Sequence, residues 1–172
     1  TNTRENEEML LRNELDFAVI DNVKGLEALR TMPLGREEMA VVCRPDHRSG
    51  NSITLEELAG ERLLLREKGS GTRDSIDTVF GAAGLTVSAF LDSSSTYALL
   101  SCAREGLGVT ILPRSLTAQA LREGTLKELS MTDGAFFRRY YLAHHKNKYL
   151  TDSVRQVVQI LQDCCRESGI LA

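Results

Sequence analysis

Short apolar runs alternate with segments of helical periodicity along most of the chain. The pattern predicts strands at residues 16–20, 28–34, 39–44, 63–65, 87–91, 109–112 and 136–143, and an extended segment at 125–131. It predicts helices at residues 5–13, 55–59, 72–83, 96–105, 116–122 and 151–167. This alternation of strands and helices predicts an α/β fold of mostly parallel sheets flanked by helices.

Capping and turn residues set the expected limits of several elements. Thr3 is a plausible N-cap of the first helix, and Thr54 is expected to cap the helix that Gly60 ends. Pro33, Leu34 and Gly35 are expected to separate two strands. The polar segment at residues 45–52 is a candidate boundary between two lobes.

One glycine-rich stretch carries the clearest candidate chemistry. Residues 66–73 (REKGSGTR) follow an apolar strand and open a helix. Free backbone N–H groups and the positive end of the helix dipole favour a bound anion at such a place. The stretch lacks the Gly-Lys-Ser/Thr of a P-loop, so triphosphate binding is not expected. An ordinary capped helix start is the alternative interpretation.

Composition and charge exclude several classes of protein. The 172 residues have a formal net charge of -3, which does not favour nucleic-acid binding by this chain, and no apolar run approaches a membrane span. Four cysteines occur without a Cys-x-x-Cys pair, which favours reduced structural thiols in a cytoplasmic protein over a redox sensor. His47, His144 and His145 do not form a metal set. We predict no catalytic residues, no cofactor and no enzyme activity.

Four motifs in order resemble the effector-binding domain of LysR-type transcriptional regulators. They are residues 11–19 (LRNELDFAV), 33–42 (PLGREEMAVV) followed by Pro45-Asp46-His47, 65–73 (LREKGSGTR) and 106–113 (GLGVTILP). Asn13 stands where the family commonly has glycine. The resemblance covers nearly the whole chain.

The resemblance implies a two-lobed α/β fold like that of type 2 periplasmic binding proteins. Lobe I would hold residues 1–44 and 135–172, and lobe II residues 45–134. A small-molecule effector, expected to be a carboxylate or other small anion, would bind in the cleft between them.

The resemblance also implies the residues that would contact the effector. Those in lobe I are Thr3, Ile20 and Asp21. Those in lobe II are Arg66, Gly69, Ser70, Gly71, Thr72, Arg73, Ser95, Thr96 and Thr110. For most of these a structural role is the alternative: Thr3 as an N-cap, Asp21 as a turn cap, Arg73 as a solvated first-turn arginine, and Thr110 as a buried threonine bonded to backbone.

One departure from the family concerns the start of the chain. The family's helix-turn-helix and a strand-helix-strand of roughly 30–40 residues would precede Thr1. DNA would therefore be bound only through an N-terminal domain absent from this chain. Homodimers or higher homo-oligomers are expected, with the helix at residues 96–105 as a candidate contact.

Two alternatives remain open beside a regulator. A solute-binding protein of a transport system has the same architecture, but four scattered cysteines argue against it. An enzyme on this scaffold would need a titratable pair in the cleft, whereas the candidate walls offer mainly hydroxyls, N–H groups and arginine.

Overall fold

The computed structural model describes residues 2–21 and 27–167. The predicted first lobe also includes residues 1, 22–26 and 168–172, which lie outside this range. The described helices are α1 (Thr3–Leu11), α2 (Leu55–Ala59), α3 (Gly71–Ala82), α4 (Thr96–Arg104), α5 (Arg114–Arg122) and α6 (Asp152–Glu167). The described strands are β1 (Ala18–Asp21), β2 (Leu29–Cys43), β3 (Ser52–Ile53), β4 (Leu63–Arg66), β5 (Leu91–Ser93), β6 (Val109–Pro113), β7 (Lys127–Met131) and β8 (Phe136–His145). The chain is therefore an α/β protein, as its pattern predicts.

The chain forms two compact units. One unit comprises residues 1–37 and 138–172, and the other comprises residues 38–137. Strand β2 contributes residues 29–37 to the first unit and 38–43 to the second.

The first unit contains β1, most of β8 and the start of β2 in that order. Strands β1 and β8 are antiparallel, with Ala18 opposite Ala143 and Asp21 opposite Tyr140. The expectation of a mostly parallel sheet therefore fails for this pair. Two small apolar clusters form its core: Leu10, Ala18, Ile20 and Ala143 in one, and Leu34, Leu142 and Val158 in the other.

The second unit has the order β2-β6-β4-β5. Its β4–β5, β4–β6 and β3–β7 pairs are parallel, whereas β2 runs antiparallel to β6 and β7. The sheet is thus mixed. Two larger apolar clusters form the core, one that includes Ile76, Phe80 and Phe136, and another that includes Leu99 and Leu112.

Three local predictions are wrong, one because a neighbouring residue makes the cap and two because tertiary packing outweighs a local signal. Asn2, not Thr3, caps α1: its side chain accepts from the backbone N–H of Glu5 in a capping box. The two strands predicted at residues 28–34 and 39–44 are parts of the single strand β2 (Leu29–Cys43), in which Leu34 is buried beside Leu142. Residues 87–90 are not strand, since their period-two pattern comes from Val87 and Ala89 packing on the core without a ladder partner.

Candidate functional site

The candidate anion site of the second unit is built where β4 ends and α3 begins. Strand β4 ends at Arg66, and the chain then turns through Gly69, whose φ of 93° lies in the region that glycine favours. Helix α3 starts at Gly71 with Ser70 as its N-cap. The predicted strand, turn and helix entrance are all present.

Two hydroxyl groups at this entrance have unused hydrogen-bonding capacity. Ser70 is 3% exposed and Thr72 is 1% exposed. Ser70 makes no side-chain capping bond, and the Thr72 hydroxyl likewise has no hydrogen-bond partner among the described residues. Among the described residues, every side-chain nitrogen or oxygen atom that is buried from solvent has a hydrogen-bond partner. The Ser70 and Thr72 hydroxyls have no such partner, so they are not fully buried and still contact solvent.

Arg66 links this entrance to the start of α4. Its Nη1 atom donates to Thr96 Oγ1 at 3.3 Å. Its Nε and Nη2 atoms donate to the two carboxylate oxygens of Glu67 at 2.8 and 3.1 Å. The charge of Arg66 is thus matched within the protein. Because the Thr96 oxygen accepts from Arg66, the Thr96 proton is left to donate elsewhere.

Arg73 is a supporting residue in this geometry. It is 5% exposed, its Nε donates to Asp77 Oδ1 at 2.8 Å, and its Nη1 donates to the Arg66 carbonyl at 3.3 Å. These bonds tie the first turn of α3 to the end of β4. Contact between Arg73 and an effector stays a prediction.

The remaining predicted residues of this unit have structural partners. Ser95 caps α4 by accepting from the N–H of Ala98 at 3.3 Å. The Thr110 hydroxyl is fully buried and donates to the Leu64 carbonyl at 2.7 Å. The Gly71 carbonyl accepts from the Ser75 hydroxyl at 3.0 Å. These bonds agree with the structural alternative for Thr110, and an effector role for the three residues stays a prediction.

In the first unit, Thr3 and Asp21 lie together. The Thr3 hydroxyl accepts from the backbone N–H of Asp21 at 3.3 Å. Asp21 is 5% exposed, and its Oδ2 accepts from Arg138 Nε at 2.7 Å. Ile20, beside it, is 1% exposed and belongs to the apolar core. Thr3 and Asp21 are therefore polar groups at one strand end, and Ile20 packs in the apolar core; contact of these three residues with an effector stays a prediction.

The sequence reasoning missed the residues that surround Asp21. The guanidinium of Arg138 lies 4.7 Å from the centre of the Tyr140 ring and pairs with Asp21. The Tyr140 hydroxyl donates to Glu37 at 2.6 Å. Arg138 and Tyr140 are two positions apart and therefore lie on one face of β8. That spacing is the sequence signal that could have suggested the contact between Arg138 and Tyr140.

Electrostatics explain how this network holds its charges. Burial alone would lower the pKa of Arg138, but the Asp21 carboxylate raises it above its usual value. Burial raises the pKa of the Tyr140 hydroxyl, and its bond to Glu37 adds to that shift. Arg138 is thus a permanent cation and Tyr140 a neutral donor.

The cysteines have structural surroundings where they are buried. All four are free thiols, Cys43 is buried and Cys164 is exposed. Burial raises the pKa of the Cys43 thiol to about 11, which keeps it protonated at neutral pH. Within residues 2–21 and 27–167, no group of acidic, histidine or cysteine side chains could hold a metal ion. No described helix is long and apolar enough to cross a membrane.

Comparison with known proteins now assigns the family. Residues 1–166 match the family described as LysR substrate binding domain, and the chain belongs to that family. The HTH-type transcriptional regulator YeiE of Escherichia coli K12 is 26% identical over 156 residues, which are 90% of this chain and 53% of the relative. CbbR of Rhodospirillum rubrum is 26% identical over 158 residues, 92% of this chain and 53% of the relative. The chain spans about half the length of these curated relatives.

Solved structures show the same fold. The effector binding domain of QuiR in complex with shikimate has a TM-score of 0.83 and 21% identity, and the match covers 97% of this chain and 79% of that one. The regulatory domain of Synechocystis PCC6803 CcmR in complex with 2-PG has a TM-score of 0.82 and 23% identity, over 95% and 80% of the two chains. The predicted type 2 periplasmic-binding-protein-like fold and the resemblance to LysR-type regulators are confirmed.

Proposed function

We propose that this chain is the effector-sensing domain of a LysR-type transcriptional regulator and that its effector is a small carboxylate or other small anion. The family match supports the sensing role, as do the two neighbouring structures that contain shikimate and 2-PG. The curated relatives described above are transcriptional regulators, which favours a regulator over a transport protein.

The observation that carries the proposal is the pair of unpartnered hydroxyls at the start of α3. Buried polar residues in proteins nearly always find a hydrogen-bond partner. Ser70 and Thr72 are almost entirely buried, yet their hydroxyls have no partner among the described residues and stay open to solvent. An anionic group that accepts from both hydroxyls would also meet the N–H groups and the positive dipole at the entrance of α3.

The neighbouring helix α4 supplies a third donor to the same proposal. Arg66 occupies the acceptor side of the Thr96 hydroxyl, so the Thr96 proton can point to the effector. Glu67 matches the charge of Arg66, and the site would therefore recognise an anion by oriented donors rather than by excess positive charge.

Sensing requires that the effector bind one conformation of the protein more tightly than another. A coupling free energy of about 1–3 kcal/mol is typical of such regulators. In the whole protein, DNA binding would reside outside this chain, the working form would be a homodimer or higher homo-oligomer, and the location would be the cytoplasm. We propose no catalytic role.

Thr72 offers a direct test. A panel of small carboxylates and phosphate esters is screened by thermal shift, and the dissociation constant of each hit is measured by calorimetry. Thr72→Val removes the hydroxyl with little change of shape and should weaken binding roughly tenfold, the effect of losing one hydrogen bond to a charged group.

Thr78→Val is the matched control on the same helix. The Thr78 hydroxyl is exposed and donates to the Asp74 carbonyl at 2.7 Å, so this variant should bind as the wild type does. Equal affinities of wild type and Thr72→Val would refute the assignment of the site.

A further inference from the structure

A cavity lies wholly within the first unit, apart from the residues assigned to the effector. It encloses about 430 Å³, a volume in the usual range for small-molecule sites. Strands β2 and β8 and helix α6 line it, together with the turn between β8 and α6. None of Thr3, Ile20 or Asp21 belongs to its wall.

The periodicity of the elements explains why these side chains converge. Arg30 and Met32 are two positions apart on β2, and Leu142 and His144 are two positions apart on β8. Side chains two positions apart on a strand lie on the same face, so each pair faces the cavity together. Arg155 and Val158 are three residues apart on α6 and share a face of the helix.

The charge of the wall is one-sided. Its fixed charges are all positive, and they belong to Arg30, Lys146, Lys148 and Arg155. No carboxylate is among the lining residues, although the chain as a whole carries a net charge of -3. This concentration of positive charge runs against the composition of the molecule.

Three of these cations have no acidic partner in the described part of the chain. Only Lys148 is neutralised, by Asp16 at 2.7 Å. Arg155 donates from Nε to the Leu150 carbonyl at 3.3 Å, which leaves its other N–H groups available. Arg30 and Lys146 form no ion pair with any described residue. Uncompensated cations around one cavity favour an anionic ligand.

The floor of the cavity is apolar. Leu142 is 1% exposed and Val158 is 9% exposed, and both belong to the small apolar cluster of this unit. Met32, which is adaptable in shape, stands beside them. A simple inorganic anion would leave this surface unused.

We propose that this cavity binds an amphipathic anion, a phosphate, carboxylate or sulfate attached to an apolar chain or ring. The anionic group meets Arg30, Lys146 and Arg155, and the apolar part covers Leu142 and Val158. The site is separate from the effector site proposed above.

Hexyl phosphate is a suitable probe, because inorganic phosphate and hexanol are its two halves. Calorimetry should show one hexyl phosphate per chain, bound at least tenfold more tightly than either half, since each buried methylene adds about 0.8 kcal/mol. Methyl resonances of Leu142 and Val158 should shift on titration. Absence of binding, or shifts confined to other methyl groups, would overturn the proposal.

Variants test whether the cations of the cavity wall bind the phosphate group. Arg30→Ala combined with Arg155→Ala should weaken hexyl phosphate binding by at least tenfold, while Arg139→Ala should not change it, since Arg139 is exposed on β8 and outside the cavity wall. Should the double variant misfold, the methyl shifts of the wild type still decide the question. Unchanged affinity in a folded double variant would contradict the proposal.

Two further experiments distinguish binding in this cavity from binding at the effector site and from binding to a membrane surface. The methyl shifts of Leu142 and Val158 report binding in this cavity, whereas Thr72→Val tests the effector site, so failure of the effector assignment and failure of this one are distinguishable. Vesicles of phosphatidylcholine and phosphatidic acid present the same anion on a membrane. If they sediment the chain while free hexyl phosphate does not bind, the cavity is not the binding site.

Discussion

Arg138 is the buried charge of the first unit whose partners are best defined. Its side chain is 21% exposed and that of Asp21 is 7% exposed, so the pair lies largely out of water. Such a pair adds little compared with an apolar pair, but removal of one partner leaves the other charge buried and unmatched. The neighbouring Tyr140 ring cannot replace a carboxylate, because it offers only its π face.

Asp21→Asn should therefore lower the free energy of unfolding by about 3 kcal/mol, the lower end for a broken buried pair. Urea denaturation followed by circular dichroism measures the change. The control is Asp16→Asn, whose carboxylate is 62% exposed and pairs with Lys148. It should lose less than ~1 kcal/mol. Equal losses in both variants would show that Arg138 does not depend on Asp21.

Two of the glycines in helix α3 and the turn before it, Gly69 and Gly81, have opposite conformational requirements. Gly69 has a φ of 93°, a conformation that side chains rarely adopt. Gly81 lies within α3, and a Cβ added there would meet nothing within 4 Å. The same substitution should therefore have opposite effects at the two positions.

Gly69→Ala should destabilise the protein by about 1–2 kcal/mol through backbone strain. Gly81→Ala should stabilise it by about 0.5–1 kcal/mol, since alanine loses less conformational entropy in a helix. Thermal and urea unfolding of both variants measure the two signs. A gain of stability in Gly69→Ala would mean that this turn does not need glycine.

At the scale of elements, the sequence predicted most helices and strands but not all their limits. The pattern of apolar residues located β4 and β6 because both faces of these strands are buried, and α3 and α4 because each helix buries one face against a large core. It divided β2 because the turn signal of Pro33 and Gly35 is local, whereas the burial of Leu34 depends on a distant strand. It placed a strand at 87–91 because packing on a core mimics strand periodicity.

At the scale of the whole molecule, the two units have cores of different size. Among the residues that the structure describes, the second unit contains two apolar clusters of fourteen and nine buried residues, whereas the clusters of the first unit have four and three. Buried apolar area is the main source of stability, so we expect the units to differ in local opening.

Amide hydrogen exchange should reveal that difference. The amides of β4 and β6 should exchange most slowly, and those of β1 and α6 at least tenfold faster, because fewer buried side chains cover them. The measurement is exchange followed by mass spectrometry on peptides from the described residues. Uniform protection across both units would contradict this expectation.

The sequence predicted the candidate site only as far as local motifs reach. Residues 66–73 form one continuous turn and helix start, so their pattern was sufficient to place Ser70 and Thr72 together. The bond from Arg66 to Thr96 joins residues thirty positions apart, and the pair of Asp21 with Arg138 joins residues far more distant. No motif encodes such pairs, since strand order decides them.

Because Glu67 neutralises the charge of Arg66, ionic strength should have little effect on the affinity of the proposed effector site. In 0.1 M salt the electrostatic field of an exposed charge decays over roughly 10 Å. Salt weakens short hydrogen bonds from neutral hydroxyls much less. An effector held by Ser70, Thr72 and Thr96 should therefore keep its affinity within about twofold between 50 and 500 mM sodium chloride, by the same screening argument. An anion held by Arg30, Lys146 and Arg155 should lose affinity over that range. Calorimetric titrations at several salt concentrations would thus distinguish a site that binds an anion through neutral hydroxyl donors from one that binds it through positive charges.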